Sequence, residues 1–228
     1  MSLLLRTMTV MIFIMSEKVS KVRTRRMKTA ILYIHGKGGN AAESEHYKPL
    51  FPECDVLGLD YKTFTPWETG KEIHSAIKRL NAEYEHIILI ANSIGAFFSM
   101  NADIDDMVQT AYFISPIVDM KQLICDMMKW ANVSESDLKQ KGEINTDFGE
   151  ALSWEYLCYV REHPVKWTVP THILYGSSDC LTSYNTIKAF ADCHNANLKI
   201  MENGEHWFHT EEQMKYLDNW IIDKENEK

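Results

Sequence analysis

The sequence of 228 residues lacks several features that would otherwise decide its class. No C-x-x-C pair occurs, and the 5 cysteines (Cys54, Cys125, Cys158, Cys180 and Cys193) are odd in number. A disulfide framework and a zinc knuckle are therefore excluded. Each thiol is expected as a small buried apolar side chain in a reducing compartment, which makes the expected location cytoplasmic. Basic charge is not in excess: 24 Lys and Arg face 32 Asp and Glu, leaving a net charge of −8. Nucleic acid and anionic lipid both demand a cationic face, so neither is expected as a partner. No apolar run reaches the roughly 20 residues of a membrane-spanning helix. The run over residues 3–15 is interrupted by Arg6 and followed by Lys18, Lys21, Arg23, Arg25 and Arg26. A secretory signal would carry its basic residues first and small residues last. Residues 1–26 are thus expected as a poorly ordered or anchor-like extension, with one domain over 27–228. Repeats and low-complexity tracts are absent. So are the phosphate-cradling patterns G-x-x-x-x-G-K-[ST] and G-x-G-x-x-G.

The remaining composition is that of an ordinary globular chain, 45% hydrophobic and 25% charged. Short runs rich in Ile, Leu, Val and Tyr occur at 30–35, 55–59, 86–91, 109–114, 172–175 and 197–201. Most are apolar throughout, as strands covered on both faces must be. Helical spacing fills the gaps at 66–83, 183–193 and 210–222. Pro66 suits a first turn, and Thr210 with Gln213 forms a capping box. The expected fold class is α/β: one open, mostly parallel sheet of about six strands with helices on both faces. The stretch 117–168 breaks the rhythm. It reads as helices at 117–130, 134–141 and 151–161 with no clear strand, an insertion over the functional edge of the sheet. Its Met127, Met128, Trp130, Trp154, Tyr156 and Tyr159 either pack the insertion down or line an apolar pocket.

Four segments carry chemistry. Residues 87–97 run from strand to helix with Ser93 at the apex and small residues, Ala91 and Gly95, two positions either side. Such a sharp turn admits only small neighbours and presents the serine hydroxyl; a plain helix N-cap also suits a serine. Residues 33–40 (YIHGKGGN) follow the first strand, and their glycines let backbone N–H groups approach a ligand. Acyl transfer needs two donors for its oxyanion. Ile94 would supply one and Lys37, or else Gly38, the other; His35 would organise the loop. Asp179 lies in YGSSD, after a strand. His206 and His209 are the only two of 9 histidines in the loop after the last strand (ENGEHWFH). A hydroxyl is a poor nucleophile until a base takes its proton. An unperturbed imidazole, with a pKa of about 6.5, both takes and returns one near neutrality. An acid fixes its tautomer. His209 is the rival base and Asp119 the rival acid.

These segments, HGKGG, ANSIG, YGSSD and GEHWF, fall in an order that resembles the α/β-hydrolase superfamily, in particular its small single-domain serine hydrolases with a helical cap. The likeness covers residues 28 to about 222. It implies an oxyanion loop at HGKGG (Lys37, with Ile94), a nucleophile at Ser93, an acid at Asp179 and a base at His206. Ala91 departs from the family's first elbow glycine, and the N-terminal antiparallel strands of larger members are missing. The implied activity is hydrolysis of carboxylic esters of small to medium acyl groups through an acyl-enzyme, on a small-molecule substrate, without metal or cofactor. Cap aromatics and the pair Trp207 and Phe208 would form an apolar pocket. A thioesterase, an aminopeptidase-like hydrolase anchored by Glu43, Glu45 or Glu155, and a ligand-binding protein without catalysis are the alternatives.

Overall fold

A strand covered on both faces offers apolar side chains in both directions, and β1 (Thr29–Ile34) shows why that holds here. Its Ile31 and Tyr33 enter one core and its Leu32 and Ile34 the other. In chain order there follow β2 (Asp55–Leu59), β3 (His86–Asn92), β4 (Thr110–Ile114), β5 (Glu143–Asn145), β6 (Ala151–Ser153), β7 (Thr171–Gly176) and β8 (Asn197–Met201). Six of these form one parallel sheet in the order β2-β1-β3-β4-β7-β8. The computed structural model describes residues 28–227, so the expected extension over 1–26 lies outside the described residues.

Among the described residues there are seven α-helices: α1 (Pro66–Leu80), α2 (Ile94–Met100), α3 (Met120–Trp130), α4 (Glu135–Lys141), α5 (Trp154–Glu162), α6 (Tyr184–Cys193) and α7 (Glu211–Asn226). A 3-10 helix spans Ala41–Leu50. On one face α1, α2 and α6 bury Ile73, Ile77, Phe97, Phe98 and Ile187. On the other, Tyr47 of the 3-10 helix meets Leu217, Trp220 and Ile221 of α7. Each fully buried aliphatic or aromatic side chain contributes about 1.5–3 kcal/mol. Helix α1 starts at Pro66, with Glu68 in its first turn and Lys78 and Arg79 in its last, signs that suit the helix dipole. It ends at Leu80, three residues short of the sequence expectation.

The stretch between β4 and β7 differs from expectation in one respect. It contains strand: β5 and β6 pair antiparallel, with Ile144 opposite Leu152. Helix α5 accordingly starts at Trp154 and not at 151. Strands this short give period-2 alternation too little length to register, and only Leu152 is buried. The cysteines also depart from expectation. All five are thiols, but Cys180 and Cys193 are exposed, because the first sits in a loop and the second ends α6.

Strand order reverses between β1 and β3, since β2 lies beyond β1 while the remaining strands extend the other way. A crevice opens at the carboxyl ends of such a pair. The loop after β1 and the turn after β3 both emerge there.

Candidate active site

One residue, Ser93, makes the whole turn between β3 and α2. Its backbone has φ 53 and ψ −120, a conformation that costs a residue with a Cβ about 1–3 kcal/mol. The surroundings hold it there. Ser93 N–H donates to the Ile114 carbonyl at 3.0 Å, and Ile117 N–H donates to the Ser93 carbonyl at 3.1 Å. Two residues on, Gly95 lets the helix start against β1: a Cβ there would stand 2.5 Å from the His35 carbonyl oxygen. Ala91, the departure from the usual glycine, is fully buried. The Ser93 side chain makes no capping bond to its own helix. Its Oγ lies 2.8 Å from His206 Nε2 instead.

His206 Nδ1–H donates to Asp179 Oδ2 at 2.7 Å, which leaves Nε2 as the acceptor for the serine hydroxyl. The Asp179 side chain is completely buried and the His206 ring is 15% exposed. The other carboxylate oxygen accepts from Leu181 N–H at 2.8 Å and Thr182 N–H at 3.0 Å, so the acid cannot swing away. The two loops are stitched together by backbone. Ser178 N–H donates to the Gly204 carbonyl at 2.8 Å. A Cβ on Gly176 would lie 2.3 Å from that same oxygen, so only glycine lets β7 end in contact with the histidine loop.

The loop after β1 closes on the serine from the opposite side. A Cβ on Gly36 would meet Ser93 Cβ at 3.2 Å. His35 is buried beneath it; its Nδ1–H donates to the Gly36 carbonyl and its ring stacks on Tyr61 at 4.1 Å. Tyr61 in turn donates its hydroxyl to the His35 carbonyl at 2.9 Å. Asn40 caps the 3-10 helix, and Glu43 completes the box by accepting from Asn40 N–H. Tyr33 donates to Glu43 at 2.6 Å. Burial, then the neighbouring Tyr47 and the Glu43 carboxylate, hold the Tyr33 phenol far above its usual range, so it remains a donor.

Two cavities meet at Ser93. The larger, about 840 Å³, is mainly apolar; Ile94, Leu123, Met127, Trp130, Phe148 and Tyr156 are among its walls. The smaller, about 380 Å³, is lined by Gly38, Gly39, Glu43, Asn92, His206 and Trp207. Between them an ion pair joins Lys37 of the β1 loop to Glu150 of the β5–β6 hairpin.

Superposed on solved structures, the fold matches Est1E from Butyrivibrio proteoclasticus with a TM-score of 0.70, at 15% identity over 91% of this chain and 90% of that one. Mouse alpha/beta hydrolase domain-containing protein 10 gives 0.67 at 14% identity, over 87% and 90%. The esterase domain of a Rhodothermus marinus protein gives 0.60 at 14% identity, over 89% and 88%. The chain has the α/β-hydrolase fold. No family model matches it. A curated protein of Mycoplasma genitalium, named "Putative esterase/lipase 3", is 28% identical over 107 residues, which span 46% of this chain and 37% of that protein. Among the described residues, no helix of this α/β-hydrolase fold is long and apolar enough to cross a membrane.

The other residues singled out by sequence lie elsewhere. His209 donates Nδ1–H to the Trp207 carbonyl and faces Glu205 at 3.5 Å. Asp119 caps α3 by accepting from Gln122 N–H and lines a separate cavity of about 700 Å³ between α3 and α6. Of the acidic anchor candidates only Glu43 borders the serine; Glu45 pairs with Lys48 on the surface and Glu155 is exposed on α5. Trp130, Tyr156 and Met127 reach the large cavity, whereas Tyr159 packs on Trp67 and Met128 is core. Phe208 is core as well, so the expected apolar pair beside the histidine is split: Trp207 is 68% exposed at the polar cleft. Glu150 went unnoticed in the sequence, since nothing local marks a partner 113 residues from Lys37.

Proposed function

We propose that the chain is a serine hydrolase that cleaves carboxylic esters of apolar acyl groups through an acyl-enzyme. One observation carries this reading: the unbroken hydrogen-bond chain from Ser93 Oγ through His206 to Asp179, at the junction of two cavities. His206 Nε2 takes the hydroxyl proton as Ser93 Oγ attacks the ester carbonyl. Asp179 fixes the tautomer and stabilises the imidazolium. The backbone N–H groups of Lys37 and Ile94 receive the oxyanion. Ile94 opens α2, where the first N–H groups have no partner within the helix, and both residues border the cavity beside Ser93. The tetrahedral intermediate collapses, the carbon–oxygen bond breaks, and the imidazolium gives its proton to the departing alcohol. Water, deprotonated by the same imidazole, then attacks the acyl carbon, the bond to Ser93 Oγ breaks as the imidazolium returns the proton to that oxygen, and the acid leaves.

The segment between β4 and β7 acts as the cap, its α3 and hairpin residues walling the acyl cavity. The esterase names among the similar proteins agree with this assignment, and five cysteine thiols suit a cytoplasmic setting. Labelling with a fluorophosphonate probe and turnover of p-nitrophenyl octanoate test it together. Ser93→Ala is expected to abolish labelling and to lower kcat by about 10⁴-fold or more. Wild-type turnover in that variant would refute it. Thioester and aminoacyl substrates in the same assay separate the neighbouring activities.

A further inference from the structure

The two cavities differ in which of them holds the imidazole, and that difference assigns the halves of the substrate. The inference rests on the triad reading above. During acylation the proton taken from Ser93 passes from His206 Nε2 to the ester oxygen as the carbon–oxygen bond breaks, so the alcohol leaves neutral. The leaving oxygen must therefore lie on the side of His206. His206 borders the smaller cleft and is absent from the walls of the larger cavity. The acyl group then occupies the apolar cavity and the alcohol the cleft.

We propose that this alcohol is a polyol of the sugar class, with Trp207 as its stacking platform. Glycine backbone, the Glu43 carboxylate, the Asn92 amide and the Lys37–Glu150 pair surround the cleft. A hydrocarbon alcohol would desolvate these groups without pairing them, at the cost of their lost hydrogen bonds to water. Hydroxyls pair them instead. Each Glu43 oxygen accepts one bond, from Tyr33 or from Asn40, and keeps further lone-pair capacity. Among the described residues Trp207 is the most exposed of the large hydrophobics, at 68%. Its ring lies on His209 at 4.6 Å with 22° between planes, and His209 is fixed by the Trp207 carbonyl. An exposed indole stacked on one ring neighbour and beside hydroxyl-binding groups matches a ring with apolar C–H faces and polar edges. A choline ester keeps no free hydroxyl, so it would leave the Asn92 amide and the glycine backbone of the cleft unpaired.

The test compares three esters that share one acyl group: 6-O-octanoylglucose, ethyl octanoate and octanoylcholine. The glucose ester is expected to exceed ethyl octanoate in kcat/KM by about tenfold. Trp207→Ala is expected to reduce that ratio by about fivefold, chiefly through KM, and Trp207→Phe to restore most of it. The ratio is independent of how much protein folds. An ethyl or choline ester that leads the series, or a Trp207→Ala variant that lowers all three alike, overturns the proposal while Ser93-dependent turnover leaves the triad standing. Turnover of the whole series by Ser93→Ala would remove the triad and this inference with it.

Discussion

The walls of the site are made in two different ways. Below Ser93, the loops at the ends of β1, β3, β7 and β8 are fixed by backbone in direct contact with backbone: Gly95 against the His35 carbonyl, and Gly176 against Gly204. Above it, residues of α3 and of the β5–β6 hairpin wall the apolar cavity, and the Lys37–Glu150 ion pair joins the hairpin to the β1 loop. Backbone contacts of this kind leave no room for a methyl group, whereas a wall of Met, Leu and aromatic side chains can be repacked. On the proposed mechanism the lower half sets where the reacting groups stand and the upper half what fits beside them, so substitutions in the two halves should differ in kind as well as in size.

The contrast is broken most severely from below. Gly176→Ala places a Cβ 2.3 Å from the Gly204 oxygen and should cost roughly 2–3 kcal/mol of stability, read by chemical denaturation. Because the two loops then separate, kcat should fall even where the protein remains folded. Unchanged stability and turnover would show that the loop contact is slack. Above the serine, Trp130→Ala should raise KM for an octanoyl ester by about fivefold and leave an acetyl ester untouched, the loss of one apolar wall. Since Trp130 is a half-exposed side chain, stability should move by about 0.5 kcal/mol or less. Equal effects on both esters would place Trp130 outside the acyl path. The smallest change is Glu150→Gln. An exposed pair contributes about 1 kcal/mol at most, so KM should rise by about fivefold or less. High salt should weaken the wild type in the same direction and leave the variant alone. A variant that keeps the full salt response would show that the pair does not hold the hairpin.

The sheet was legible because parallel strands buried on both faces leave continuous apolar runs, and 30–35, 86–91 and 109–114 are such runs. Ser93 stood out because a single residue separates an apolar strand from a helix. Asp179 and His206 stood out because each follows a strand at the same end of the sheet, and the structure brings all three into hydrogen-bond contact. What escaped was whatever depends on distance in the chain or on direction in a loop. Each strand of the β5–β6 pair has one inward residue, Ile144 or Leu152, and so shows no period. Trp207 and Phe208 are neighbours of like chemistry, and only the fold decides that one faces water and the other the core. The Lys37–Glu150 pair joins two segments that no local pattern connects.

The bond from Ile117 N–H to the Ser93 carbonyl gives the segment above the site an anchored root. Its first residues grip the very peptide that presents the hydroxyl, so this end of the segment is fixed to the serine turn. In protein engineering terms, a graft of a foreign lid onto this scaffold should be spliced downstream of Ile117. A junction placed earlier would unlatch the serine before any new specificity could be read.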